Sequence, residues 1–384
     1  GFRIDGSALA RLGQELQRHT DELEQSIYDM VGHRFNINSP KQLGTVLFDE
    51  LLLPHGKKTK TGWSTNAEVL EKLRYESPVV SRVLEFRQYA KLKSTYADGL
   101  LRAVSRDGRV RTRFQMTVTA TGRLSSAEPN LQNIPTRTQL GSEMRRVFIA
   151  DEGNVLVDAD YSQIELRLLA HMAGDEAMIE AFRSGQDFHT VTAARVFHVP
   201  EAEVTHQMRS RAKAVNFGIV YGMSSFSLSQ DLQVTMAEAK SYKASYFATY
   251  PGVKQYMTDI VAQGKAQGYV ETLYHRRRAL PELKAPVFAR RAFGERVAMN
   301  MPIQGTAADI MKLAMLRVHD RLRREGLRAK LIMQVHDELI VECPEAERET
   351  VETLLRQEME QVAALSVPLI AEAHSGKNWL EAKG

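Results

Sequence analysis

The stretch from Val155 to Arg167 constrains the fold most, because an apolar run meets two acids and turns at once into a helical pattern. Residues 155–157 have the β-branching of a buried strand, and the apolar residues at 164, 168 and 169 fall at helical spacing. Asp160 is therefore predicted at the junction. A carboxylate there can reach a cleft and bind Mg²⁺, or it can cap the helix that follows. This stretch alone does not decide between the two.

Two short apolar runs further along predict a β-hairpin whose turn carries acids. Residues 331–335 and 339–341 are separated only by His336-Asp337-Glu338. A tight hairpin usually has Asn-Gly or Asp-Gly in its turn, so this turn is costly unless its side chains are used. Acids on two separate strand ends meet the requirement of a two-metal phosphoryl-transfer site, whose ions lie about 4 Å apart.

A helix predicted from about Gln207 to Tyr221, with Gly222 as its stop signal, has two different sides. The apolar residues at 212, 215 and 219 form one side. The other side carries two cations and two aromatics: Arg209, Lys213, Phe217 and Tyr221. This combination suits a nucleoside triphosphate, with the cations on its phosphates and the aromatics beside its sugar and base.

Composition excludes several classes of protein. No apolar run approaches the roughly 20 residues of a membrane span, and no signal-peptide pattern opens the chain. The lone Cys343 excludes a disulfide framework and a cysteine zinc cluster, and favours a reducing compartment. The net charge is only +4, but Lys and Arg are clustered, for example at 276–278 and 290–291. Such clusters fit a polyanionic partner, although each one alone could be a solvated face.

Residues 1 to about 105 are predicted to be mostly helical. Ser39-Pro40, Thr65 with Glu68, and Ser77-Pro78 are helix start signals. The basic loop at 55–62 joins two of these helices and could simply be a mobile charged loop. Residues 109–114 alternate as a strand does, and a polar segment follows at 119–126.

Three motifs then occur in order: Asp-Tyr-Ser-Gln-Ile-Glu-Leu-Arg at 160–167, Arg209-x₃-Lys213-x₇-Tyr221-Gly222, and Val335-His336-Asp337-Glu338. Together they resemble the three motifs of family A DNA polymerases, closest to the polymerase region of the bacterial members, and the resemblance covers nearly the whole chain. It implies a DNA-directed DNA polymerase of replication and repair. Such an enzyme adds deoxynucleotides from dNTPs to the primer 3′-hydroxyl of a primer-template DNA and releases pyrophosphate.

The resemblance also implies an α+β fold of right-hand polymerase architecture, with an antiparallel-sheet palm and a mostly helical thumb and fingers. The expected division is 1–105 thumb, 106–180 first part of the palm, 181–288 fingers and 289–384 second part of the palm. The loop at 55–62 would be the thumb tip. A monomer without a membrane partner, cytoplasmic and associated with the bacterial nucleoid, is expected.

Site residues follow from the matched motifs. Two Mg²⁺ ions, for which Mn²⁺ can substitute, would be held by Asp160, Asp337 and the backbone carbonyl of Tyr161. The expected catalytic group also includes Lys213, as electrostatic clamp or proton donor on the pyrophosphate, and the neighbouring Glu338. The expected dNTP-binding residues are Gln163, Glu165, His189, Arg209, Lys213, Phe217 and Tyr221. The expected DNA-binding residues are Arg123, Arg296, Asn300, Gln304 and His336.

Two roles are possible for Glu165. In the family the matching Glu blocks the ribose 2′-hydroxyl, but an exposed first-turn Glu could merely complement the helix dipole. His275 departs from the family pattern, because the relatives usually have Gly before the Arg run, and this leaves the geometry of that turn open.

Two rival functions remain. One is a single-subunit RNA polymerase, against which Glu165 and Phe217 argue. The other is a non-catalytic DNA-binding subunit; such a protein could have lost the acids or Lys213, whereas this chain retains all three. The chain does not begin with Met and begins where the family's thumb begins. This suggests an excised fragment without the family's upstream exonuclease domains, so proofreading is not expected.

Overall fold

The computed structural model describes residues 1–56, 58–59, 62–135 and 139–384. They form two compact units. The first comprises residues 1–113, 128–150 and 378–380, and the second comprises residues 114–127, 151–377 and 381–384.

The α-helices are α1 (Gly6–Val31), α2 (Pro40–Gly44), α3 (Ala67–Lys72), α4 (Pro78–Lys91), α5 (Asp98–Ala103), α6 (Gln139–Arg146), α7 (Ile164–Ala173), α8 (Glu176–Arg183), α9 (Phe188–Phe197), α10 (His206–Val220), α11 (Ser225–Leu232), α12 (Met236–Thr249), α13 (Pro251–Gln267), α14 (Phe288–Arg324) and α15 (Arg348–Glu360). The strands are β1 (Phe2–Ile4), β2 (Lys58–Thr59), β3 (Gly62–Trp63), β4 (Arg109–Val110), β5 (Arg113–Gln115), β6 (Ser125–Ala127), β7 (Phe148–Ile149), β8 (Asn154–Tyr161), β9 (Tyr269–Glu271), β10 (Arg277–Ala279), β11 (Lys330–Val335), β12 (Glu338–Pro344) and β13 (Ala371–Gly376).

The first unit is mostly helical. Helix α1 packs along α4 over a core that includes Ile27, Val80 and Phe86. A small sheet with the order β4-β1-β7 closes the unit at one end. There Trp379 is fully buried, its ring 5.4 Å from that of Phe2. The predicted helical character of residues 1–105 is confirmed.

Two of the three helix starts predicted in this unit are confirmed, and one is wrong. The Ser39 and Ser77 side chains cap α2 and α4, each followed by Pro. Helix α3 is capped by Asn66, whose side chain accepts from the Val69 N–H at 3.0 Å, and not by Thr65. The cause is tertiary, since Thr65 is buried and its hydroxyl lies 3.4 Å from an Arg87 guanidinium nitrogen.

The second unit is organised around an antiparallel sheet with the strand order β11-β12-β8-β13. Side chains alternate across the central strand β8. Val157, Ala159 and Tyr161 enter a core shared with α7, α10, α14 and α15, and Asp158 and Asp160 lie on the other face. The alternation thus puts two acids on one side of a sheet whose other side is dry.

Several predicted elements of this unit are confirmed: the strand leading to Asp160, the hairpin at 331–341, and the helix that begins near 207 and ends just before Gly222, where φ is +61°. The predicted turn was one residue too long, because Glu338 pairs with Val335 as the first residue of β12 and only His336 and Asp337 form the turn. The alternating segment 109–114 is broken into β4 and β5. His275 turns the chain between β9 and β10 with φ of +62°, the left-handed conformation that Gly adopts without strain. The turn therefore forms with His at a position whose backbone conformation favours Gly.

The division into thumb, palm and fingers stays a prediction. The basic loop assigned to the thumb tip lies partly outside the described residues, because positions 57, 60 and 61 are among those the structure does not describe. In the part of the chain that is described, none of the helices combines the length and apolar character that crossing a membrane requires.

Candidate active site

Asp160 and Asp337 come together where strand β8 ends beside the β11–β12 turn. Glu338 is the residue paired with Asp160 across the two strands. The Tyr161 N–H donates to the Asp337 carbonyl oxygen at 3.0 Å, which ties the strand end to the turn. His336 occupies the turn with φ of +48° and is exposed. The fold therefore brings both predicted acid motifs into one cluster.

Burial makes the two carboxylates of the cluster harder to ionise. Burial raises the pKa of Asp160, an effect that the Lys383 ammonium partly offsets. Burial likewise raises the pKa of Asp337, which the Arg123 guanidinium partly offsets. Positive charge added beside these carboxylates would favour their ionised forms.

The donor set of the cluster is a pair of carboxylates at a strand end. Within the described residues, no group of three or more His, Cys, Asp or Glu side chains is assembled that could hold a metal by itself. Mg²⁺ typically takes only one or two carboxylates and completes its octahedron with waters and substrate phosphates. Asp160 and Asp337 therefore fit Mg²⁺ that arrives with a phosphorylated substrate.

Arg123 lies between the acid cluster and α7. Its Nη2 atom is 2.8 Å from Glu165 Oε1 and 3.6 Å from Asp337 Oδ1. Glu165 is 5% exposed. It is therefore not the exposed first-turn residue that a simple dipole role would require.

A second ion pair positions the loop that carries Arg123. Asp309, buried on α14, accepts from the Arg276 guanidinium at 2.6 Å and from the Thr272 hydroxyl at 2.8 Å. Arg276 packs on Gly122, where an added Cβ would come within 2.6 Å of the Arg276 Nε. Lys312 donates to the Gly122 carbonyl oxygen. Gly122, with φ of +80°, thus lets the loop lie directly on this pair.

The predicted cation-and-aromatic stripe lies along α10. Phe217 and Tyr221 are stacked, with ring centroids 6.4 Å apart, and the His189 ring lies 6.0 Å from that of Phe217. Lys213 is exposed. Arg209 makes an ion pair with Asp187, the N-cap residue of α9. A phosphate that binds Arg209 must therefore share it with Asp187 or displace that carboxylate.

His189 is buried at the start of α9, and its Nδ1 is 3.0 Å from the Asn216 amide nitrogen. Burial lowers the pKa of His189 to about 4; the Asp187 carboxylate opposes this lowering, and the Lys213 and Arg209 cations add to it. The ring is therefore neutral near pH 7. It can donate or accept one hydrogen bond without adding charge.

Tyr221 connects the stripe to the acid cluster. Burial, followed by the adjacent Glu165 carboxylate, raises the pKa of Tyr221 to about 12. A continuous row of side chains therefore runs from the α9 end of the site to the hairpin, in the order His189, Phe217, Tyr221, Glu165, Arg123, Asp337.

The DNA-side candidates Arg296, Asn300 and Gln304 lie at successive turns of α14. Arg296 packs against Gly222, where an added Cβ would be 3.2 Å from its Cγ, and its guanidinium lies 5.9 Å from the Phe293 ring. Asn300 and Gln304 are partly exposed. The helix thus presents the three residues in the predicted order, beginning at the C-terminal end of α10.

Among the described residues, five buried polar atoms of this region have no hydrogen-bond partner: Arg123 Nε, Asp158 Oδ2, Gln163 Oε1, Glu165 Oε2 and Asn216 Oδ1. Gln163 itself takes a left-handed conformation, with φ of +54°, between β8 and α7. Unpaired buried polar atoms are rare because each one costs about 1–3 kcal/mol. Their grouping around Asp160 is a mark of a site that binds a polar ligand.

Sequence reasoning missed several residues of this region. Lys383 contacts Asp160 and Glu338, Asp309 holds Arg276, and Asp187 pairs with Arg209. Asp187 carried the only available signal, since an Asp just before a helix is a common N-cap. Lys383 and Asp309 stand in no motif, and their partners are distant in sequence.

Comparisons with known proteins agree on the family. Residues 6–381 match the family model described as DNA polymerase family A. DNA polymerase I of Geobacillus stearothermophilus is 53% identical over 385 residues, and that of Bacillus subtilis (strain 168) is 51% identical. Both alignments cover 100% of this chain and 44% of the relative, so the chain spans less than half the length of these curated relatives.

A solved structure is similar over the whole chain. It is the POL domain of Pol1 from M. smegmatis in complex with DNA primer-template and dNTP, with a TM-score of 0.95 and 43% sequence identity. The match covers 100% of this chain and 68% of that one. The predicted α+β class and right-hand polymerase fold are therefore confirmed, and the chain belongs to DNA polymerase family A.

Proposed function

We propose that this chain carries out template-directed DNA synthesis as a DNA-directed DNA polymerase. The observation that carries the proposal is the row of side chains from His189 to Asp337, which joins a cationic and aromatic stripe to a carboxylate pair. The proposed substrates are dNTPs and primer-template DNA, the molecules named for the M. smegmatis neighbour. Family membership and the unpaired polar atoms around Asp160 support the same choice.

In the proposed reaction the primer 3′-hydroxyl gives its proton to solvent water and its oxygen bonds to the α-phosphorus. The bond from that phosphorus to the bridging oxygen breaks, and pyrophosphate leaves with that oxygen. Two Mg²⁺, or Mn²⁺ in their place, when held by Asp160, Asp337 and the Tyr161 carbonyl, would supply activation of the hydroxyl and compensation of phosphate charge. The exposed Lys213 ammonium binds the departing pyrophosphate or gives it a proton.

The remaining residues orient the nucleotide. Phe217 and Tyr221 pack beside its sugar and base, and the neutral His189 ring offers a hydrogen bond to a phosphate. Arg209 adds charge once it is released from Asp187. Gln163 and Glu165 line the sugar side, and Arg123, Arg296, Asn300, Gln304 and His336 contact the DNA. Glu338 stays beside the acid pair without being assigned as a ligand. We further propose that the chain acts as a monomer at the bacterial nucleoid, where primer-template DNA lies.

Primer extension tests the proposal. The wild-type chain should extend a labelled primer with dNTPs and Mg²⁺, and Asp337→Ala should lose several orders of magnitude in rate while still binding primer-template. Asp320→Ala, at an exposed position on α14, is the matched control and should retain the wild-type rate. Extension by Asp337→Ala near the wild-type rate would refute the assignment. Preferential incorporation of NTPs would instead favour a single-subunit RNA polymerase.

A further inference from the structure

The acid face of the central sheet has a cation of its own, Lys383. Its Nζ atom is 2.5 Å from Glu338 Oε2, 2.9 Å from Asp160 Oδ2 and 4.0 Å from Asp158 Oδ1. Asp158 and Glu338 are nearly inaccessible, with side chains 2% and 7% exposed. One ammonium therefore stands against three carboxylates.

The strand register places several acids on this face of the sheet. Glu338 is directly opposite Asp160, and Asp158 lies two residues back on the same face. Like charges placed opposite each other across two strands repel, and buried carboxylates cost more if nothing compensates them. Lys383 is the side chain whose charge offsets this repulsion on the proposed metal ligand Asp160.

The segment that carries Lys383 is held in position by packing and hydrogen bonds. Residues 381–383 form a 3₁₀ turn in which Ala382 is fully buried. Glu381 accepts from the Lys377 N–H at 3.0 Å. A Cβ at Gly376 on β13 would come within 2.4 Å of Glu381, so the Gly lets the turn lie tightly on the strand. The position of the ammonium thus follows from packed backbone and not from a flexible surface side chain.

We propose that Lys383 is a positioning residue that acts as the resident counter-ion of Asp160 and competes with the divalent metal for it. Its short contact with Glu338 keeps that carboxylate in an ion pair with the ammonium. Asp160 and Asp337 therefore remain as the two metal ligands. When the metal arrives, the Lys383–Asp160 contact must loosen. This inference rests on the proposed metal assignment. It adds that the Lys383 ammonium weakens metal binding when no nucleotide is present.

Mn²⁺ binding measured by electron paramagnetic resonance, without DNA or nucleotide, tests the competition on the whole chain. Lys383→Met removes the charge while keeping the length of the side chain, and should bind Mn²⁺ roughly ten-fold more tightly, because one unit charge near the ion is lost. Lys383→Arg should keep the wild-type affinity. Lys377→Met, which removes an exposed lysine paired with Glu345 at 2.6 Å, is the matched control and should change nothing. Equal or weaker binding by Lys383→Met would overturn the inference.

Two further measurements separate the possible failures. Asp160→Asn should weaken Mn²⁺ binding, and if it does not, the metal assignment itself fails. If Asp160→Asn weakens binding but Lys383→Met has no effect, only the role of Lys383 fails. Melting in EDTA and in Mn²⁺ covers the case of poor folding. Lys383→Met should melt lower than wild type in EDTA and regain more stability from Mn²⁺. A variant that stays unfolded in saturating Mn²⁺ would contradict the idea that the metal replaces the ammonium.

Discussion

Arg123 and Glu165 form an ion pair with 2.8 Å between Nη2 and Oε1, and the same Nη2 lies 3.6 Å from Asp337. One guanidinium thus contacts a residue proposed to select the sugar and one proposed to hold a metal. Its Nε atom and Glu165 Oε2 are buried without hydrogen-bond partners. The ion pair therefore fixes both side chains in position and leaves each of them with one polar atom that a ligand could bind.

Glu165 should exclude ribonucleotides mainly by its size. Its buried side chain lies between Arg123 and Tyr221, so removing it opens space where a 2′-hydroxyl would otherwise clash. We expect Glu165→Ala to raise the ratio of kcat/KM for ATP over dATP roughly ten-fold or more. Glu165→Gln keeps the volume and should keep most of the discrimination. An unchanged ratio in Glu165→Ala would return this residue to a purely structural role beside Arg123.

Phe217 should limit the use of dideoxynucleotides. Its ring packs between His189 and Tyr221 and has no hydroxyl with which to replace a missing 3′-hydroxyl. We expect Phe217→Tyr to raise kcat/KM for ddATP relative to dATP and to leave the ATP-to-dATP ratio mostly in place. Phe226→Tyr, at an exposed position on α11, is the control. Equal gains for ATP and ddATP would mean that the pocket had only loosened.

Arg123 and Gln304 should sense base-pair geometry without reading sequence. The minor groove presents purine N3 and pyrimidine O2 acceptors in all four correct pairs, so a donor there responds to pairing itself. Truncating either residue to Ala should lower extension on every template base, by roughly 1–3 kcal/mol. Gln304→Ala is the cleaner test, because Arg123→Ala also removes the partner of Glu165. A defect confined to one template base would contradict this role.

His189 should make stability depend on pH. Its pKa of about 4 in the folded protein lies below the ordinary value near 6.5, so the unfolded chain binds the proton more readily. Above about pH 6.5 the ring is neutral in both states, and the folded protein keeps its full stability. As the pH falls toward 4, the unfolded chain takes up the proton first, and the free energy of unfolding decreases. This difference between the two pKa values corresponds to a loss of roughly 3 kcal/mol in the free energy of unfolding.

Urea unfolding between pH 8 and pH 4.5 measures this dependence. His189→Gln should lose part of the slope that wild type shows below pH 6.5. Another part should remain, because burial also lowers the pKa of His171. Parallel curves for wild type and His189→Gln would show that the buried ring is not the source.

Much of the site could be predicted because its signals are local. Asp160 stands at the end of a β-branched run, Asp337 in a hairpin turn, and the α10 stripe at helical spacing, and each pattern depends only on neighbours in sequence. The capping error at Thr65 marks the limit of such signals. Asn66 and Thr65 are both good cap residues, and the choice fell to Asn66 because Arg87, distant in sequence, occupies the Thr65 hydroxyl.

The pairing of charges between distant residues depends on the tertiary structure. Lys383 with Asp160, Arg276 with Asp309, and Arg123 with Glu165 join residues far apart in the chain. Strand order, register and the seating of a turn determine whether such side chains come within 3 Å of each other, and none of these leaves a pattern in either partner's own neighbourhood. Local sequence patterns were enough to predict the family, the acid pair and the cation-and-aromatic side of α10. The Lys383 counter-ion, for example, depends on the sheet β11-β12-β8-β13, whose register places Asp160 beside Glu338, and on the packed turn at 381–383, which holds the ammonium next to both acids.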